Sequence, residues 1–100
     1  MVDVVDLADL DPSPHAVVFE DAPRSVELAL AAGEGMPAHS HPGTRVVLYV
    51  VEGRLAVTLD GTAYEAGAGT VMRFSGDRDV APRAVEDAVA LLVFVPDATD

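Results

Sequence analysis

RVVLYVVEGRLAVTLDG, residues 45–61, carries two apolar strands separated by Glu52-Gly53 and closed by a turn. Residues 54–59 alternate apolar and polar side chains, the period of a half-buried strand. Asp60-Gly61 follows, a dipeptide favoured in two-residue hairpins because both central positions need left-handed backbone angles. A tight turn there pairs Leu59 with Thr62 and Val57 with Tyr64, so Leu55, Val57, Leu59 and Tyr64 share one face. Residues 46–51, VVLYVV, behave differently: they are apolar at consecutive positions, the pattern of a strand hidden on both faces. In a small barrel the inner face fills the core and the outer face is wet, so this strand predicts a cover. The cover is an N-terminal strand or a second copy of the chain. An apolar face without a cover is a dimerisation signal, and a homodimer is the expected assembly.

Apolar runs bounded by turn chemistry continue in both directions. Residues 2–7 form a first run ahead of the DLDPSP cluster at 9–14. Runs at 16–19 and 25–31 follow, the second placing Val26, Leu28 and Leu30 on one face. Gly33-Glu34-Gly35 breaks the chain before a histidine-bearing stretch. Beyond the hairpin, turns at Gly67-Ala68-Gly69, Ser75-Gly76-Asp77 and Glu86-Asp87 bound runs at 71–74, 79–85 and 88–95. No segment keeps a helical period for three turns. Short strands at a spacing of about ten residues predict an all-β fold, a small antiparallel β-barrel, as one domain over residues 1–100.

Composition narrows the partners. Seventeen acids face six bases, a formal charge of −11, and every base is arginine. Such a surface repels phosphate backbones and anionic membranes, so neither nucleic acid nor membrane is an expected partner. Acid excess without lysine fits adaptation to a salty cytoplasm; a GC-rich genome producing an ordinary acidic protein is the alternative. The absence of cysteine excludes disulfides and thiolate ligands. The longest apolar run, residues 88–95, is far short of the ~20 residues of a spanning helix. The acidic start, MVDVVDLADLDP, lacks the positive charge of a secretory leader, and a soluble cytoplasmic protein is expected.

The candidate chemistry lies in MPAHSHPGT, residues 36–44. If this stretch is extended, His39 and His41 project to the same side with their roots about 7 Å apart, close enough to converge on one ion. Imidazoles that are neutral near pH 7 suit zinc, iron, manganese, nickel or copper. Two ligands rarely hold a metal tightly, so a third donor must come from elsewhere. Exposed loop histidines beside Pro37 and Pro42 are the plain alternative.

GEGMPAHSHPGTRVVLYVVEGRLAVTLDG, residues 33–61, resembles the first motif of the cupin family, with Gly33, His39, His41, Pro42 and Gly53 at its spacing. AGAGTVMRFSGDRDV followed by ALLVFVP, residues 66–80 and 90–96, is similar to the second motif in a worn form. The resemblance covers about residues 25–96. It implies a double-stranded β-helix, a jelly-roll-like barrel, with a metal inside held by three histidines and one glutamate. The sequence departs from that pattern twice. The glutamate position falls on Arg45 or Val46. The third histidine position falls on Asp79 when counted from Gly76 or back from Leu91-Leu92, and on Val80 when counted from Gly69. The expected metal ligands are therefore His39, His41 and Asp79, a two-histidine, one-carboxylate face with open positions. Two further readings stand beside it: a metal-free pocket made apolar by Val46 or Val80, and a solvated Asp79 with weakly binding histidines. His15 is expected in an exposed turn, and Arg73 on a strand surface or reaching into the pocket.

Function divides accordingly. A metal-dependent enzyme would use a divalent ion on a small organic molecule. A binding module would hold a small ligand or a metal without turning it over, and a structural dimer would carry a vestigial pocket. No acid–base pair or nucleophile constellation is visible beyond the histidines, so nothing in the sequence demands catalysis.

Overall fold

A computed structural model describes residues 2–11 and 14–97. Eight strands follow in chain order: β1 (His15–Phe19), β2 (Arg24–Leu30), β3 (Thr44–Glu52), β4 (Arg54–Leu59), β5 (Thr62–Gly67), β6 (Val71–Ser75), β7 (Val80–Ala84) and β8 (Ala88–Pro96). Every pairing is antiparallel. The strands form two sheets, a five-stranded one ordered β1-β2-β8-β3-β6 and a three-stranded one ordered β5-β4-β7. The all-β, jelly-roll-like class is as the sequence predicts. Among the described residues no helix is long and apolar enough to cross a membrane.

The Asp60-Gly61 hairpin pairs Leu59 with Thr62 and Val57 with Tyr64, as its turn chemistry requires. Asp60 and Gly61 both take left-handed backbone angles, φ 49° and 88°. Leu55, Val57 and Leu59 face the core, whereas Tyr64 is exposed because β5 is the edge of its sheet. Opposite them, Val46, Leu48 and Val50 of β3 and Ala88 and Ala90 of β8 close the interior. Alternation within each strand thus fills one shared core.

Residues 2–7 form no strand, contrary to expectation. The Asp6 side chain accepts a hydrogen bond from the Ala8 backbone N–H at 2.9 Å and caps a single 3-10 turn, Leu7–Asp9. A short acid bonding its own backbone competes with strand pairing in this way. Of the expected 9–14 turn, residues 12 and 13 lie outside the described residues.

The parity of β3 is settled. Val46, Leu48 and Val50 point inward, while Val47, Tyr49 and Val51 point outward. Within one chain that outer face is only partly covered. Asp3, Val4 and Val5 border a groove with Ser25, Leu91 and Val93 over the β2–β8 side. Over the β3–β6 side Tyr49 remains 39% exposed and its cross-strand partner Val71 60% exposed.

Candidate functional site

The histidine stretch extends the three-stranded sheet. Residues 33–39 run beside β7: Met36 N–H donates to Pro82 O at 3.0 Å, and His39 and Val80 exchange both backbone bonds, at 3.2 and 2.9 Å. Directly opposed residues of an antiparallel pair point to the same face. Val80 therefore shares the inward side with His39, and both line one cavity. The loop that follows is clamped to the β6–β7 turn. His41 N–H donates to Gly76 O at 2.7 Å, Gly76 N–H to Thr44 O at 2.8 Å, and Thr44 Oγ1 to His41 O at 2.7 Å. Gly76 is required for this approach, since a Cβ there would collide with Thr44 Oγ1 and His41 O.

The cavity lies between the two sheets and measures about 380 Å³. Val26 and Leu28 of β2, Leu48 of β3, Leu92 and Phe94 of β8, Val80 and Pro82 of β7, and Met36 make its walls. His15, Arg24, His39, His41 and Thr44 supply its polar groups. The two imidazoles meet edge to face with ring centres 4.7 Å apart, and His41 packs against Phe94 at 4.6 Å. Burial, then the neighbouring His39 and Arg24, hold the His41 imidazole below its usual 6.5, so it is neutral at pH 7. His39 Nδ1 lies 3.0 Å from Pro37 O. A carbonyl can only accept, so Nδ1 carries the hydrogen and Nε2 keeps a free lone pair.

The expected third ligand is placed elsewhere. Asp79 is exposed and absent from the cavity wall. Its N–H is held by Asp60 Oδ1 at 3.0 Å, and its carbonyl accepts from Asp60 N–H at 3.0 Å. Of the two positions the cupin pattern leaves without a ligand, Val80 faces the cavity and Val46 is buried in the core, while Arg45 is exposed. Both inward positions are valines. Among the described residues no group of three or more His, Cys, Asp or Glu side chains gathers to hold a metal. Two imidazoles by themselves fall short of the three protein ligands usual for an open transition-metal site.

Sequence reasoning missed two wall residues. His15 is exposed, as expected, but sits on β1 opposite Leu28 and borders the cavity, and Arg24 opens the other end of β2, opposite Phe94 of β8. Neither has a local signal; the pairing of β1, β2 and β8 brings them there. Arg73 is exposed on β6 and takes no part in the wall.

Comparison with known proteins agrees with this geometry. The cupin domain family model matches residues 26–96. Among solved structures, an RmlC-like cupin from Desulfovibrio desulfuricans is 23% identical with a TM-score of 0.82, covering 96% of this chain and 97% of that one. A protein of unknown function from Rhizobium leguminosarum bv. viciae 3841 is 25% identical, TM-score 0.78, covering 97% and 99%. TT1209 from Thermus thermophilus is 23% identical, TM-score 0.79, covering 95% and 98%. No curated protein matches the chain.

Proposed function

The chain belongs to the cupin family, and we propose that it is a small-molecule binding protein whose ligand occupies the cavity between its sheets. The observation that carries this reading is the cavity itself, about 380 Å³ with mostly apolar walls and a few polar groups among them. Small-molecule sites have this size, roughly 300–1,000 Å³, and this division of labour between apolar walls and orienting polar groups. The clamped 41–44 loop supports it, because a site held by hydrogen bonds is pre-organised for a ligand. His39 and His41 orient the ligand as hydrogen-bonding groups. Among the described residues no group on the wall is arranged as a nucleophile with a base, and the reading is binding rather than turnover.

A fragment screen by ligand-detected NMR, repeated on Leu92→Trp, tests it. Hits that compete with one another and disappear when tryptophan fills the cavity are expected. Hits unaffected by that substitution would place binding elsewhere and end the reading.

One observation favours a second role for the same histidines. The His39 Nδ1–H bond to Pro37 O fixes the ring and presents Nε2, the arrangement a metal-ligating imidazole uses. A divalent transition metal such as zinc, iron, manganese or nickel would sit on His39 and His41, with the ligand or water completing its shell. It would polarise an oxygen of that ligand as a Lewis acid. We also propose a homodimer through the outer face of β3 and β6, supported by the exposed Tyr49, Val51 and Val71 in one apolar patch.

A further inference from the structure

The charged groups of this chain are segregated about the cavity. The protein carries seventeen acids and a net charge of −11, yet among the described residues no aspartate or glutamate lines the cavity wall. The wall holds instead one of the six arginines and all three histidines. A random sample of this chain's ionisable groups would be mostly acidic. The wall is therefore free of carboxylates among the described residues, with the Arg24 guanidinium at its rim, where Glu20 is its ion-pair partner, and apolar walls beneath.

We propose that the ligand is a small organic monoanion, a carboxylic acid with an apolar tail, whose carboxylate pairs with Arg24 while the tail fills the cavity. This rests on the cavity reading above and names the ligand class for it. The tail meets Leu28, Leu48 and Leu92, which would bind any apolar group of suitable size. The head group is what Arg24 selects. A guanidinium offers a carboxylate two parallel N–H donors, a pairing stronger than bonds between neutral groups. Arg24 is available for it: its ion pair with Glu20 spans 3.5 Å with both side chains more than half exposed, and such surface pairs contribute little. The absence of wall acids removes the repulsion a carboxylate would otherwise meet. The −11 charge of the rest of the chain opposes an anion at long range. At physiological ionic strength screening acts over about 8 Å, which leaves the groups at the rim in control.

The experiment compares two probes of one shape, 3-phenylpropionate and 3-phenylpropanamide, by isothermal titration at about 0.15 M salt. The carboxylate should bind at least about tenfold tighter than the amide, as a charge-assisted pair requires. Arg24→Gln should erase that preference, and Glu20→Gln, which frees Arg24, should enlarge it. Both arginine and glutamate are exposed, so neither change should disturb folding, and the thermal midpoint of each variant checks that. Equal affinity for the two probes in the wild type would overturn the anion assignment and leave the cavity reading standing. A preference that survives Arg24→Gln would overturn the role given to Arg24. Failure of both probes to bind would end the cavity reading and this inference together.

Discussion

Replacing Glu27 by leucine should stabilise the protein, for reasons that lie in the strand pairing. On β2, Val26 and Leu28 face the interior, so Glu27 lies on the opposite face between Ala16 of β1 and Leu91 of β8. It is only 4% exposed, and its Oε1 has no hydrogen-bond partner among the described residues. A buried polar atom left unsatisfied costs about 1–3 kcal/mol. At the lower end of that range the gain is about 1 kcal/mol. For a domain of this size that is a rise in thermal midpoint of roughly 4–8 °C.

The pH dependence distinguishes this explanation from a gain in packing. Burial raises the Glu27 carboxyl above its usual 4.5, so the folded chain keeps this proton to a higher pH than the unfolded chain does. The stability linked to Glu27 is therefore complete below about 4.5 and lost as pH rises through the folded value. The advantage of Glu27→Leu should be small at pH 4 and full at pH 7–8. Differential scanning calorimetry of both proteins at fixed ionic strength reads it directly. A variant no more stable at pH 7, or an advantage constant from pH 4 to 8, would refute the reasoning.

Four further outcomes are expected. Gly76→Ala forces a Cβ into Thr44 and the His41 carbonyl, and should cost about 1–3 kcal/mol in thermal unfolding, the range for overpacked sites, and weaken cavity binding. Zinc titrated into metal-free protein should bind weakly at about one ion per chain, with His39→Ala or His41→Ala abolishing it and Asp79→Ala leaving it intact; a marked loss in Asp79→Ala would return that carboxylate to the ligand set. Thermal midpoints should climb from dilute buffer to molar potassium chloride, since the ion pairs Arg24–Glu20, Arg54–Glu65 and Arg78–Asp60 are exposed and leave the −11 charge repelling itself; a flat or falling trend would favour the genome-composition origin of the acidity. Light scattering should show dimers that Tyr49→Glu or Val71→Glu disrupts, and a wild type that is monomeric at every concentration would rule the dimer out.

Local features were legible in the sequence because their physics is local. The Asp60-Gly61 turn needs only its own backbone angles, and it fixes Leu59 against Thr62 whatever else the chain does. The insertion of β8 between β2 and β3 is a long-range choice with no local signature. It brings Arg24 and Phe94 opposite each other, and both reach the cavity. The third-ligand position shows the other limit. Asp79 and Val80 are adjacent, so a count uncertain by one residue exchanges the inward side chain for the outward one. The paired backbone bonds between His39 and Val80 decide that parity, and no spacing rule contains them. The run at 2–7 had a strand's composition, but the Asp6 cap supplied a closer partner for its backbone than any sheet edge.

The central claim, that the cavity capped by His39 and His41 is the binding site, is tested most directly by intermolecular nuclear Overhauser effects to a bound probe. With 3-phenylpropionate at saturation, contacts should run from its ring to the Leu48 and Leu92 methyls and to the Phe94 ring, which share the cavity wall. Contacts confined to the outer-face residues Tyr49, Val71 or Val95 would contradict the account, because the probe would then be held by the sheet's surface and the cavity would have no part in binding.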